Sequence, residues 1–195
     1  MLKEYNIKPL NSLNDAQFLE AITIFVSSFK HLFTFAKKEE ELIELFMSAC
    51  DKDQCYAYIE KHKVLGFLGV GTNEKTALNF PADVCIRLFG KTKGNIISKQ
   101  LQKACAKIVV QNSSDIYIDY LATDPNSRGL GIGTKMLEFV FLMPQYQNCY
   151  IEVLEKNYNA KRLYEKMGFA AYKKSFNLTI FLQGQGNPIK MKKAI

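Results

Sequence analysis

The sequence predicts an α/β protein built on a mixed central sheet flanked by helices, and three observations lead there. Ile116–Leu121 is dense in β-branched and aromatic residues, the composition of a strand. Asp124-Pro125-Asn126-Ser127 then breaks the chain, and from Ile132 the apolar spacing turns helical at Ile132, Met136, Leu137, Phe139 and Val140. A second strand-like run, Cys149–Leu154, follows that helix, so the two strands lie parallel, whereas earlier runs pair as a hairpin. With 195 residues, 48% of them apolar and 12% aromatic, the chain can build one domain, 1–195, with a substantial core.

The remaining elements follow in order. Tyr5–Leu10 predicts a first strand. Asn14 or Asp15 caps a helix that carries Phe18, Ile22, Phe25 and Phe29 on one face. Lys30–Ala36 breaks that helix. A second opens on Glu39, Glu40 and Glu41, acids at the positive end of a helix dipole, and turns Leu42, Ile43, Phe46, Met47 and Cys50 inward. Cys55–Glu60 and Val64–Gly71 form a hairpin across Lys61-His62-Lys63. Residues 72–112 read as a helical insertion ahead of the central strand, with helices over Pro81–Phe89 and Ile96–Val110 separated by Gly90–Asn95. The second of these places Ile97, Leu101, Cys105 and Ile108 on one face. Asn157–Met167 is the last helix, stopped by Gly168. Phe169–Lys173 and Phe176–Leu182 are expected to make a closing hairpin, and the polar, lysine-rich stretch 183–195 a flexible tail.

Composition excludes several classes. The formal charge is +7, but only Arg87, Arg128 and Arg162 are arginines. Dispersed lysine serves solubility, whereas base readers lean on arginine, which argues against nucleic acid as the partner. The Lys99, Lys103 and Lys107 stripe reads as a solvated helix face. A positive field also attracts a polyanionic cofactor. Five cysteines without C-x-x-C spacing and two distant histidines give neither a disulfide framework nor a metal site, and fit the reduced thiols of a cytoplasmic protein. Met1–Leu10 holds charges and Pro9 where a targeting segment needs apolar residues, and the best apolar run, Phe139–Met143, is too short for a membrane span.

Between the central strand and its helix lies Arg128-Gly129-Leu130-Gly131-Ile132-Gly133-Thr134. A strand, a glycine-rich turn and a helix N-terminus form an anion site, because the first turn of the helix has unpaired N–H groups and glycines let a phosphate approach them. Thr134 stands where a Rossmann fingerprint has its third glycine, and no frame supplies the lysine of a P-loop. Arg128, Gly131 and Gly133 instead match R-x-x-G-x-G/A, and the stretch resembles motif A of the GNAT superfamily of acetyl-CoA-dependent N-acyltransferases. Downstream, Asn157 to Phe169 (NYNAKRLYEKMGF) is similar to that family's N-x-x-A-x-x-L-Y-E-K-x-G-F segment. The resemblance covers the C-terminal part of the chain and says little about the first half.

It implies a GNAT-type fold and an enzyme that moves the acetyl group of acetyl-CoA, without a metal, to a primary amine by direct attack in a ternary complex. The motif A strand would splay from its neighbour, so that Leu121, Ala122 and Thr123 pair with the pantetheine arm and the Leu121 amide faces the thioester carbonyl. Arg128, Gly129, Leu130, Gly131, Ile132, Gly133 and Thr134 would hold the pyrophosphate. Asn157 matches the residue that bonds the cofactor arm, and it also suits a helix cap. Tyr164 matches the family's general acid. For the base, Asp119 lies two residues before Leu121 and so is expected on the same strand face; Glu152 on the adjacent strand and a water chain are the alternatives. Phe33, Phe35 and Glu39 fall in the loop that borders the family's acceptor pocket, with core packing as their other reading. The insertion is expected to roof that pocket or to form a homodimer contact. A GNAT-like domain that binds CoA without turnover, as a sensor or scaffold, is the alternative function. A polyamine, aminoglycoside, amino acid, peptide N-terminus or protein lysine all remain open as acceptor.

Overall fold

Local chemistry sets the ends of the first elements in the computed structural model, which describes residues 6–176 and 186–195. After the short strand β1 (Ile7–Pro9), the Asn14 side chain accepts the Gln17 N–H at 2.9 Å and starts α1 (Asp15–Phe29). α2 (Glu39–Ala49) starts where the Glu41 carboxylate accepts the Lys37 and Lys38 N–H groups, which holds that carboxyl below its ordinary range. β2 (Cys55–Glu60) and β3 (Lys63–Gly71) form the expected hairpin, turning on Lys61 and His62, both at positive φ.

The insertion holds α3 (Ala82–Phe89) and α4 (Lys91–Cys105). The expected break over Gly90–Asn95 is confined to Gly90, at φ +81°, and Lys91–Asn95 is already helical. Gly94 is there for packing: a Cβ on it would stand 2.4 Å from the Cys85 carbonyl oxygen of α3. The expected continuation of α4 to Val110 is also corrected, because the helix ends at Cys105 and Ile108 projects outward, 37% exposed.

β4 (Asp115–Thr123), α5 (Ile132–Phe141), β5 (Asn148–Leu154), α6 (Tyr158–Lys166), β6 (Ala170–Lys174) and β7 (Pro188–Ala194) complete the chain. β7 corrects the expected flexible tail. Ile189 and Met191 alternate inward along it, and it inserts between β5 and β6, antiparallel to both. β6 pairs with β7; of its expected partner Phe176–Leu182, residues 177–182 lie outside the described residues.

Among the described residues the sheet has seven strands in the order β1-β2-β3-β4-β5-β7-β6, of which only β4 and β5 are parallel neighbours. Helices cover both faces. On one face α1 and α2 bury Phe25 and Phe46 against Phe67 of β3, with Ile97 and Leu101 of α4 joining them. The Phe25 ring sits 4.7 Å from that of Phe46 and 5.0 Å from that of Phe67, within aromatic contact range. On the other face Ile132, Met136, Leu137 and Val140 of α5 pack with Tyr164 of α6 on Ile116, Ile118 and Ile151. The α1–α4 layer stops short of the far strands, so Glu152 of β5 is exposed and Lys190 of β7 half-buried on that side. All five cysteines are free thiols. No helix among the described residues is long and apolar enough to cross a membrane.

Candidate active site

The site begins where the parallel strands part. β4 and β5 pair from Asp115 and Asn148 to Ile118 and Ile151, and no further. Beyond that point β4 stays in register with β3 alone, Leu121 opposite Leu68 and Thr123 opposite Gly66. The Asp124 N–H donates to the Leu65 carbonyl at 2.9 Å. Amides alternate edges along a strand, so the Thr123 and Leu121 N–H groups turn to the open edge on the β5 side.

Asp119 is skipped in the ladder, since Tyr120 pairs with Gly69 and Ile118 with Val70. This β-bulge resets the alternation of side chains. Leu121 packs with the α5–α6 layer, whereas the Asp119 carboxylate accepts the Ala77 N–H at 3.3 Å on the opposite side. The expectation that Asp119 and Leu121 share a face is therefore corrected.

The turn after β4 is tied by the Ser127 hydroxyl, which donates to the Asp124 carboxylate at 3.0 Å. Gly129 and Gly131 stand at φ +82° and +75° with open space where a Cβ would be, so conformation alone demands glycine there. Gly133 is different: it is helical, and a Cβ on it would meet Leu163 Cδ2 at 3.2 Å. No side chain caps α5, and its first turn carries no acidic residue. The first intrahelical bond runs from the Lys135 N–H to the Gly131 carbonyl at 3.0 Å, which leaves the Ile132, Gly133 and Thr134 N–H groups as the exposed donors of the helix end.

A cleft of about 640 Å3 runs from this turn to the open edge of β4. Leu121, Ala122, Thr123, Arg128, Gly129, Gly131, Ile132, Gly133, Thr134, Asn157 and Tyr164 all line it. Leu130 does not; its side chain projects into solvent, 63% exposed. Asn157 caps α6, accepting the Ala160 N–H at 3.2 Å. The Tyr164 ring is buried edge-on to Phe169 at 5.9 Å between centroids, and burial pushes its phenol well above its ordinary pKa. It stays protonated at neutral pH.

Sequence reasoning missed Ser28 and Phe29 of α1, which line the same cleft where it passes through the sheet. The Ser28 hydroxyl oxygen is buried there without a hydrogen-bond partner, while neighbouring Ser27 bonds back to the Ile24 carbonyl. Nothing in the helical pattern distinguishes these two serines. An unpaired donor, three exposed helix-end amides and two left-handed glycines fit a ligand with a diphosphate and a polar arm.

A second cleft of about 490 Å3 lies on the α1–α4 side, lined by Tyr117, Asp119 and Tyr120 of β4, Glu152 of β5, Lys190 of β7, the end of α4 at Ala104 and Cys105, and Lys107, Ile108, Val109 and Gln111 of the segment after it. The insertion thus supplies one wall. Burial pushes the Asp119 carboxyl up to about 7, against the smaller, lowering effect of the Ala77 hydrogen bond. Burial, with the nearby Glu152 and Asp119 carboxylates, also raises the Tyr117 phenol. Tyr117, Tyr120 and Lys190 were not foreseen; Lys190 in particular lies in the stretch expected to be a tail. Phe33, Phe35 and Glu39 line neither cleft: Phe33 and Phe35 pack in the aromatic cluster, and Glu39 pairs with Lys30 at 2.6 Å.

Comparison with known proteins bears on this geometry. A Staphylococcus aureus N-acetyltransferase superposes with a TM-score of 0.63 at 13% identity, over 96% of this chain and 99% of its own. A Corynebacterium glutamicum protein described as histone acetyltransferase HPA2 and related acetyltransferase gives 0.63 at 17%, over 97% and 95%. The ribosomal-protein-S18-alanine N-acetyltransferase of Escherichia coli gives 0.52 at 15%, over 97% and 92%. At these identities the likeness is one of fold. No curated protein matches the sequence. The model of the acetyltransferase (GNAT) domain matches residues 51–171, well over half of the chain and inclusive of the β4 edge, the glycine turn and Tyr164, and on that match the chain belongs to the GNAT acetyltransferase family.

Proposed function

We propose that this chain transfers the acetyl group of acetyl-CoA to a primary amine by direct attack, with both substrates bound at once. The observation that carries the reading is the parting of β4 from β5, which frees the β4 edge at Leu121 in the glycine-turn cleft, two residues after Asp119 in the carboxylate-lined one. GNAT domains use acetyl-CoA as cosubstrate, and it supplies an acyl group already activated as a thioester.

In this reading the Ile132, Gly133 and Thr134 N–H groups hold the pyrophosphate, with Arg128 adding charge at the rim. The open edge of β4 pairs with the amide-bearing arm through Leu121 and Thr123, flanked by Asn157 and the Ser28 hydroxyl. The Leu121 N–H is then a fixed donor to the acyl oxygen, where negative charge grows during attack; a preorganised donor of this kind contributes most in a site closed to water. Asp119 orients the ammonium and accepts its proton, and a carboxyl near 7 is matched to that exchange at neutral pH. Exposed Glu152 adds attraction for a cation and is the second choice of base. Tyr164 keeps its proton until the departing sulfur takes it.

Release of free thiol on adding amines tests the reading, with Tyr164→Phe as its sharpest variant. Loss of the hydroxyl with the ring retained is expected to lower kcat about tenfold to a thousandfold and to leave acetyl-CoA affinity nearly unchanged. If the variant melts earlier and keeps full kcat, Tyr164 is a core residue and not the acid. Acetyl-CoA that binds but gives no thiol with any amine would support the non-catalytic alternative.

A further inference from the structure

The floor of the second cleft carries a row of charge. Asp119, Glu152 and Lys190 come from β4, β5 and β7, three neighbouring strands of the sheet. Glu152 and Lys190 are register partners, and Asp119 sits one strand away, at the bulge. Asp119 lies just past the last paired residues of β4 and β5, so Asp119 and Lys190 stand on the strands that flank Glu152 across the floor of the cleft. Among the described residues none of the three forms an ion pair. Asp119 is anchored only by the Ala77 amide. Above the floor, Ile108 and Val109 are each 37% exposed on the segment after α4, an apolar step between Lys107 and Gln111 that shares the cleft with Tyr117 and Tyr120.

Each part selects. Two carboxylates attract an ammonium. A lysine beside them repels a second one, so a diamine or polyamine gains at one end and loses at the other. A cleft of about 490 Å3 is of small-molecule size. Ile108 and Val109 together suit an aliphatic body.

We infer that the acceptor is a free amino acid with an apolar side chain: its ammonium on Asp119 and Glu152, its carboxylate on Lys190, its side chain against Ile108 and Val109. The inference rests on the acetyl-transfer reading and deepens it. The ammonium loses one proton to Asp119, and the nitrogen lone pair forms the C–N bond as the C–S bond breaks. The sulfur takes the Tyr164 proton, and the second nitrogen proton restores the tyrosine by way of solvent. The net products are an N-acetyl amino acid, free CoA thiol and one proton.

The test compares leucine with leucinamide and isoamylamine, which keep the amine and the aliphatic body but lack the carboxylate. Thiol release is followed for the wild type, Lys190→Met and Lys190→Arg. Wild-type kcat/KM for leucine is expected to exceed that for either analogue by about tenfold to a hundredfold, the range of one charge-assisted hydrogen bond. Lys190→Met should collapse that ratio chiefly through KM for leucine, and Lys190→Arg should restore most of it. Analogues that react as fast as leucine, or a ratio unchanged in Lys190→Met, overturn the amino-acid assignment and leave acetyl transfer standing. Absence of thiol release with all three, while calorimetry still shows acetyl-CoA bound, overturns this inference; the transfer reading falls with it only when polyamine, aminoglycoside and peptide acceptors give no thiol either.

Discussion

Gly131, at φ +75° just before α5, fixes the direction in which three helix-end amides point. A β-branched residue there meets a backbone conformation that costs it at least 1–2 kcal/mol, so Gly131→Val should reorient the turn and weaken acetyl-CoA by about a hundredfold or more in calorimetry, with the fold retained. Gly133→Ala should be much milder, because the atom its Cβ meets is the flexible tip of Leu163. Equal losses would mean that the turn is not the phosphate site. Asp119 gives a prediction with a sign. Its folded pKa is raised from 3.8 to about 7, so the folded state holds this proton more tightly than the unfolded chain, and ionisation costs stability as pH climbs from about 4 to 7. Asp119→Asn keeps an oxygen for the Ala77 N–H and removes that cost. Its stability relative to wild type should therefore rise across this window and level off above it, by about 1–3 kcal/mol once partial exposure is allowed for. Its kcat/KM for the amine should fall, and the deficit should shrink at high pH as the amine deprotonates unaided. A flat stability difference, or a deficit equal at every pH, moves the base to Glu152 or to simple positioning. In the sequence the three alternate glycines announce the turn, yet only the backbone separates the two that need positive φ from the one that needs space. The bulge was not legible either, since one skipped residue leaves no compositional trace and yet turns Asp119 to the other face.

At the scale of elements, the insertion depends on the close approach of α3 and α4 at Gly94. Gly94→Val drives a branched side chain into the Cys85 carbonyl, a backbone group that cannot yield. Separation of the two helices should cost about 2–4 kcal/mol, read as a lowered melting temperature or denaturant midpoint. It should also raise KM for the acceptor more than for acetyl-CoA, because the segment after α4 walls only the second cleft. A variant as stable as wild type would show that the helices have slack there. Two glycines and two lysines over Gly90–Asn95 look like a linker, and a glycine used for helix contact is indistinguishable in sequence from one used to break. Helices with one strongly apolar face, such as α1 and α5, and the Asn14 and Asn157 caps were readable because their determinants lie within a turn of the chain.

For the molecule as a whole, long-range pairing governs what the sequence conceals. Strand β7 carries Ile189 and Met191 among three lysines, a pattern too weak to predict a strand, and it is stable because β5 and β6 flank it on both edges. That pairing brings Lys190 beside Glu152 and completes the charged floor of the second cleft. The family-bearing segments were legible, whereas the contributions of α1, the insertion and β7 arise from topology. In the proposed reaction, acetyl passes directly between two ligands that meet at the β4–β5 gap. Initial rates of thiol release, with acetyl-CoA and amine both varied, test this most directly. The account predicts double-reciprocal lines that intersect, and no thiol released until amine is present. Parallel lines, with a burst of thiol from acetyl-CoA alone, would show the acetyl group resting on the protein and would contradict it.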